Sequence, residues 1–195
     1  MKLNEIMIGC VVMAAGNAAR FGENKLAAVV RGKPLLEHAL DAVPRDALGA
    51  VCVVTQYDEA ERLAARCGFS VVRNERPQEG LSRTVRLGTE ALRDSCGAIL
   101  YMVSDQPLLR RESVAALLAF YRRHPEHIVA ASHGGRRGNP CVFPARYFGE
   151  LCQLTGDVGG SAVIRAHEDA LLLFEVDERE LLDVDTKEAL NNLMK

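Results

Sequence analysis

The stretch Ile8-Gly9-Cys10-Val11-Val12-Met13-Ala14, followed by Ala15-Gly16-Asn17-Ala18-Ala19-Arg20-Phe21-Gly22-Glu23-Asn24-Lys25, decides how the rest of the chain reads. Its first half is a continuous apolar run, the pattern of a strand covered on both faces. Its second half is small and polar and carries Arg20 and Lys25. Small residues let a backbone come close to a ligand and aim N–H groups at phosphate oxygens. The two cations add fixed positive charge, Arg as a planar fork and Lys as a point charge. Neither the dinucleotide spacing G-x-G-x-x-G nor the Walker spacing G-x-x-x-x-G-K-[ST] is met. On composition alone, a phosphate-binding loop and a glycine turn with two solvated cations both stay open.

The same alternation repeats outward from this loop. Apolar runs predict strands over Ala50–Thr55, Ser70–Arg73, Ala98–Val103, Ile128–Ser132, Cys141–Phe143 and Leu171–Glu175. Between them, amphipathic patterns predict helices over Pro34–Val43, Glu59–Cys67, Leu81–Asp94, Arg111–Arg123, Ala145–Leu151, Gly160–His167 and Thr186–Met194. Alternating strands and helices predict a single α/β domain over residues 1–195, with a mostly parallel central sheet flanked by helices. Ligands of such Rossmann-like sheets bind beyond the carboxyl ends of the strands.

Composition narrows the partners. With 24 Lys and Arg against 26 Asp and Glu, the net charge of −2 sets up no field that gathers nucleic acid or anionic lipid. The apolar run at Met7–Ala15 is too short to span a bilayer, and acidic Glu5 before it is wrong for an export signal. A cytoplasmic protein with neither nucleic-acid nor membrane partners is expected. The 6 cysteines are dispersed without a C-x-x-C pair and read as buried or incidental thiols. The histidines show no metal-ligand spacing; His133, beside Gly134-Gly135, is either a surface loop residue or part of an acceptor pocket.

Carboxylates supply the chemistry. Asp105 follows the apolar run Ala98–Val103, and Pro107 then turns the chain away. A hard oxygen ligand at a sheet's carboxyl edge suits Mg²⁺, which takes one or two carboxylates plus substrate phosphates. Asp183 and Asp185 form a D-x-D pair, whose side chains share a face if the stretch is extended. Asp185 is the preferred metal ligand. A compatible alternative is that Asp185 or Thr186 caps the last helix, with Glu188 near the capping-box position. Gly80-Leu81-Ser82 would open a helix, offering free N–H groups and the Ser82 hydroxyl to phosphate or a base edge.

A strand ending in A-A-G, then x-x-x-R-x-G-x-x-K, resembles the nucleotidyltransferases that activate sugar phosphates, methylerythritol phosphate and molybdopterin. Asn74, Glu79-Gly80-Leu81-Ser82, Val103-Ser104-Asp105-Gln106-Pro107-Leu108, Gly138-Asn139-Pro140, Gly156-Asp157-Val158-Gly159-Gly160 and Asp183-Val184-Asp185-Thr186-Lys187-Glu188 continue the match in order. Together they resemble the molybdenum cofactor cytidylyltransferase family. The resemblance implies Mg²⁺-dependent transfer of CMP from CTP to molybdopterin or its molybdenum-bearing form, serving a molybdenum hydroxylase. It implies catalytic roles for Arg20, Lys25 and Asp105, and a metal at Asp105 and Asp185. It implies nucleotide contacts from Ala14, Ala15, Gly16, Arg20, Lys25, Gly80 and Ser82. Three departures touch the site. Ser104 replaces a usual Gly, Arg83 interrupts a usual serine run, and Val158 stands where related chains often carry Lys on the pterin side. The alternatives are a guanylyltransferase on the same pterin, a transferase for a sugar or alcohol phosphate, and a carrier or insertion chaperone for the molybdenum cofactor. A carrier would have no need of a metal carboxylate beside a triphosphate loop.

Overall fold

A computed structural model describes residues 6–16 and 25–193 of the chain. Strand β1 (Ile8–Ala14) is an interior strand of a 7-stranded sheet because both its faces are apolar. Ile8, Cys10, Val12 and Ala14 enter one core cluster, and Val11 enters another. A ribbon of β2 (Val29–Val30) and β3 (Lys33–Pro34) follows. Next come α1 (Leu35–Asp41), β4 (Ala50–Thr55), α2 (Asp58–Arg66), β5 (Ser70–Arg73), α3 (Leu81–Leu92), β6 (Ala98–Val103) and α4 (Arg111–Arg123). The rest is β7 (Ile128–His133), β8 (Arg136–Pro144), α5 (Phe148–Gln153), α6 (Ser161–Ala166), β9 (Leu171–Glu175) and α7 (Lys187–Leu193). Predicted helix 145–151 begins instead as a 3₁₀ turn, Ala145–Tyr147, before α5.

The sheet order is β5-β4-β1-β6-β8-β7-β9. β1 runs parallel to β4 and β6, β4 to β5, and β7 to β9. The sheet is thus mostly parallel, as the continuous apolar runs predict. β8 is the exception, antiparallel to both β6 and β7. The apolar run marks only its buried end; Arg136, Arg137, Gly138 and Asn139 are exposed or half-buried and give no strand signal. The reversal has a positional result: β8 begins at the sheet edge where β6 ends.

Helices α1, α2 and α4 cover one face, and α3, α5 and α6 the other. Helix α3 lies so close over β1 that a Cβ at Gly88 would fall 2.4 Å from Val11 Cγ1. The C-terminal segment is pinned by Val184, which packs with Val30 and Leu35 and takes Leu190 of α7 against it. The Val184 N–H donates to the Asp105 carbonyl at 2.9 Å, bringing the D-x-D segment to the end of β6. All six cysteines are free, and burial pushes Cys52 up to about 11 and Cys141 up to about 12, leaving them packing residues. Among the described residues no helix is long and apolar enough to cross a membrane.

Candidate active site

Past the end of β1, Ala15 and Gly16 line a cleft of about 730 Å³ together with Lys25, Thr84, Ser104 and Asp105. The chain leaves β1 under restraint from the neighbouring strand. Thr55 Oγ1 donates to the Ala14 carbonyl at 2.9 Å, Gln56 Nε2 to the Ala15 carbonyl at 3.0 Å, and the Tyr57 hydroxyl to the Gly16 carbonyl at 3.0 Å. Ala14 itself is buried behind the cleft, where its methyl joins the core and its carbonyl accepts from Thr55.

Asp105 stands just past β6, and Lys25 Nζ donates to its Oδ2 at 2.7 Å and to Asp185 Oδ1 at 2.9 Å. Burial alone would lower the Lys25 pKa, but the charges and hydrogen bonds of Asp105 and then Asp185 outweigh it and raise it. Asp183 accepts from Gln106 Nε2 at 3.0 Å. Burial, and next the charge of Asp105, push the Asp183 carboxyl up to about 6. The two residues of the D-x-D pair therefore have different partners. Thr186, rather than Asp185, caps α7, its Oγ1 accepting from Ala189 N at 3.1 Å.

The donor set fits a hard divalent ion on one specific ground. Asp105 Oδ1 is buried and finds no hydrogen-bond partner among the described residues. No group of three or more His, Cys, Asp or Glu with metal-holding geometry occurs among those residues. One or two carboxylates completed by phosphate oxygens and water are what Mg²⁺ ordinarily takes.

The opening of α3 differs from its reading in the sequence. Its N–H groups are not free: Leu81 N donates to Asp157 Oδ1 at 3.3 Å, Ser82 N to the Gly156 carbonyl at 3.2 Å, and Arg83 N to the Gly80 carbonyl at 3.2 Å. Ser82 is buried, and neither it nor Gly80 lines the cleft. Gly80, at φ +90°, lies against the 156–157 backbone, where a Cβ would come within 2.5 Å of the Gly156 carbonyl. Arg83 is turned to Asn74 Oδ1 (3.0 Å) and Glu79 Oε2 (3.0 Å), so it adds no charge to the cleft. What α3 presents to the ligand side is Leu81 and Thr84.

Two further hollows adjoin. One, of about 760 Å³, shares Met13, Leu81 and Val103 with the first and is walled by Gly159, Gly160 and Asn139. The other, of about 740 Å³, holds Gln106, His133, Arg136, Arg137 and Asp183. Gln106 is 2% exposed, with Oε1 unpartnered among the described residues. Because β8 is reversed, its arginines stand at the same edge as Asp105.

The structure thus brings Ala15, Gly16, Lys25, Asp105 and Asp185 together, and sets Ala14, Gly80 and Ser82 behind them. Arg20 lies outside the described residues. Sequence reasoning passed over Thr55-Gln56-Tyr57 and Arg136-Arg137. A polar triplet that closes a buried parallel strand, Thr55 within it and Gln56-Tyr57 just past it, was the available signal for the first.

Ligands of open α/β sheets bind beyond the carboxyl ends of the strands, where this cleft lies, and the matching family model gives the class as nucleotidyltransferases. Within it, the chain belongs to the family of MobA-like NTP transferase domains, whose model matches residues 10–171. A 3-phospho-D-glycerate guanylyltransferase of Phenylobacterium zucineum is 36% identical over 126 residues, 62% of this chain and 56% of that protein. The chain therefore spans about half that relative's length. The purine catabolism protein PucB of Bacillus subtilis is 28% identical over 193 residues, 91% of each chain. In fold, Rv0371c from Mycobacterium tuberculosis H37Rv is similar at a TM-score of 0.81 and 24% identity, over 98% of this chain and 99% of that one. The same protein in complex with manganese gives a TM-score of 0.79 at 24% identity, over 96% and 98%.

Proposed function

We propose that this chain is a Mg²⁺-dependent cytidylyltransferase that moves CMP from CTP to the terminal phosphate of a molybdopterin-type acceptor, supplying a molybdenum hydroxylase. The observation that supports this most is the meeting of Lys25, Asp105 and Asp185 beside the Ala15–Gly16 end of β1. An oxygen of the acceptor phosphate bonds to the α-phosphorus of CTP while the bond to the bridging oxygen breaks, and pyrophosphate leaves with that electron pair. The acceptor oxygen is already anionic, so no general base is needed, and alignment and charge neutralisation carry the rate. Asp105 and Asp185 would hold Mg²⁺, which when bound neutralises charge across the phosphates. Lys25, on the cleft wall, supplies a point charge to the triphosphate, and Arg20 is assigned the β- and γ-phosphates. Arg136 and Arg137 give the adjoining hollow the charge to receive an anionic acceptor.

The choice of CTP rests on Ala14-Ala15-Gly16, since Ala15 lines the cleft and its side chain would press on a wider purine. One methyl is worth about 1–3 kcal/mol, a preference of roughly 10- to 200-fold. The similarity to a 3-phospho-D-glycerate guanylyltransferase favours a second reading, guanylyl transfer to a small phosphorylated acid. Pyrophosphate release separates the two, measured with each of four nucleoside triphosphates against molybdenum cofactor with and without metal, 3-phosphoglycerate and a sugar phosphate. CTP with the pterin is the expected pair, and Ala15→Gly should narrow the gap to GTP. GTP with phosphoglycerate would select the second reading. No turnover with any pair would leave a carrier.

A further inference from the structure

We propose that Thr55, Gln56 and Tyr57 are positioning residues for the nucleotide: they turn the peptide groups after β1 so that Ala15 and Gly16 offer successive N–H donors to the ligand. The inference rests on the nucleotide reading of this cleft given above.

In an extended strand, consecutive carbonyls point to opposite sides. Those of Ala14, Ala15 and Gly16 all meet donors on the β4 side. The backbone has therefore left the extended form at this point, and three consecutive side chains hold it there. That end of β4 is itself braced. Thr55 Oγ1 accepts from Tyr57 N at 3.1 Å, and Asn74 N donates to the Thr55 carbonyl at 2.7 Å. Burial raises the Tyr57 pKa, so its hydroxyl stays a donor.

The consequence follows from peptide geometry. In a trans peptide the N–H points opposite to the carbonyl before it. Among the described residues, Asn139–Pro140 is the one cis bond, so the peptides from Ala14 to Gly16 are trans. With carbonyls 14 and 15 on the β4 side, the N–H groups of Ala15 and Gly16 face the other way. That is the β6 side, where Ser104 and Asp105 line the cleft. Neither N–H donates to a backbone carbonyl among the described residues. Successive N–H groups on one side make a concavity for oxygen atoms. The ligand edge received here is thus an acceptor edge, a phosphate oxygen or a ring carbonyl. Thr55, Gln56 and Tyr57 do not line the cleft themselves and act through the loop they hold.

The test uses Tyr57→Phe, which deletes one hydroxyl, and Gln56→Leu, with Gln56→Lys as a variant that restores a donor. Calorimetry with Mg·CTP gives nucleotide affinity, steady-state kinetics give the acceptor KM, and thermal melting reports the fold. Each deletion is expected to raise the nucleotide Kd by about 3- to 10-fold, the scale of one lost hydrogen bond. The acceptor KM should stay unmoved, and Gln56→Lys should recover part of the loss. Unchanged Kd in both deletions overturns the inference. So does a joint loss of nucleotide affinity, acceptor affinity and melting temperature, which marks a merely structural role. If the wild-type protein binds no nucleoside triphosphate, the transferase reading falls first, and this inference falls with it.

Discussion

At Asp105 the two carboxylate oxygens meet different surroundings: Oδ2 takes the Lys25 ammonium, while Oδ1 is buried without a partner among the described residues. A buried acceptor without a partner costs about 1–3 kcal/mol, a cost that a cation at Oδ1 would offset under the metal reading proposed above. Asp105→Asn should therefore keep the fold and lose at least about 10²-fold in kcat, the scale of removing one preorganised electrostatic group. Near-normal turnover in the folded variant would take Asp105 out of the metal site. Lys25 bears on the same ion from the other side, since its ammonium lies between the two carboxylates that would hold it. Lys25→Met should bind Mn²⁺ alone about 10-fold more tightly, the scale of the roughly 1 kcal/mol that a unit charge about 4 Å away is worth in water. The same variant should bind Mn·CTP more weakly. Titration followed by electron paramagnetic resonance reads both, and equal affinity for free Mn²⁺ would show that the ammonium does not compete.

Helix α3 shows how far single segments can be read from the sequence. Its extent is legible, since apolar positions recur at helical spacing and Gly80 precedes it. Its capping is not, because the groups that take its first N–H donors, the Gly156 carbonyl and the Asp157 carboxylate, come from a loop more than seventy positions away. Gly80→Ala tests that junction. The added Cβ would meet the Gly156 backbone in a conformation open only to glycine, so a loss of about 2–3 kcal/mol is expected in urea unfolding. A loss under about 0.5 kcal/mol would mean the loop simply moves aside. The strands divide in the same way. β1, β4 and β6 were legible from end to end because burial on both faces writes a continuous apolar run, whereas the edge strand β5 was read from Val71-Val72 between exposed Ser70 and Arg73. The start of β8 was not legible, because half-exposed Arg136–Asn139 carry no such run, and strand direction leaves no local trace. Lys25 and Asp105 stood out as charged groups in the loops that follow β1 and β6, whereas the role of Thr55, Gln56 and Tyr57 shows in the carbonyls opposite them.

Across the whole molecule, the gathering of Asp105, Asp183 and Asp185 at one edge couples stability to pH. The Asp183 carboxyl rises from its ordinary 3.8 to about 6, chiefly through burial and then through Asp105. A raised acid binds its proton more tightly in the folded state than in the unfolded one. Its contribution to stability is therefore present below about pH 4 and lost as pH climbs through about 6. In metal-free buffer, Asp183→Asn should raise the melting temperature by about 2 °C at neutral pH, a modest figure because the residue keeps contact with solvent. At pH 4 it should change little. An equal gain at both pH values would trace the effect to packing instead.

The reversed strand β8 divides the sheet into two territories that meet along its pairing with β6. The β5-β4-β1-β6 side carries the Ala15–Gly16 loop and Asp105, while β8, β7 and the segment after β9 carry Arg136, Arg137 and Asp183. Substitutions far apart, with no shared partners, combine additively. Changes such as Ala15→Gly on one side and Arg136→Ala on the other should then multiply in their kinetic effects rather than interfere. If the two hollows take different substrates, as proposed, a lineage with this fold would be free to exchange one while leaving the handling of the other intact, and the seam between β6 and β8 is where that independence should end.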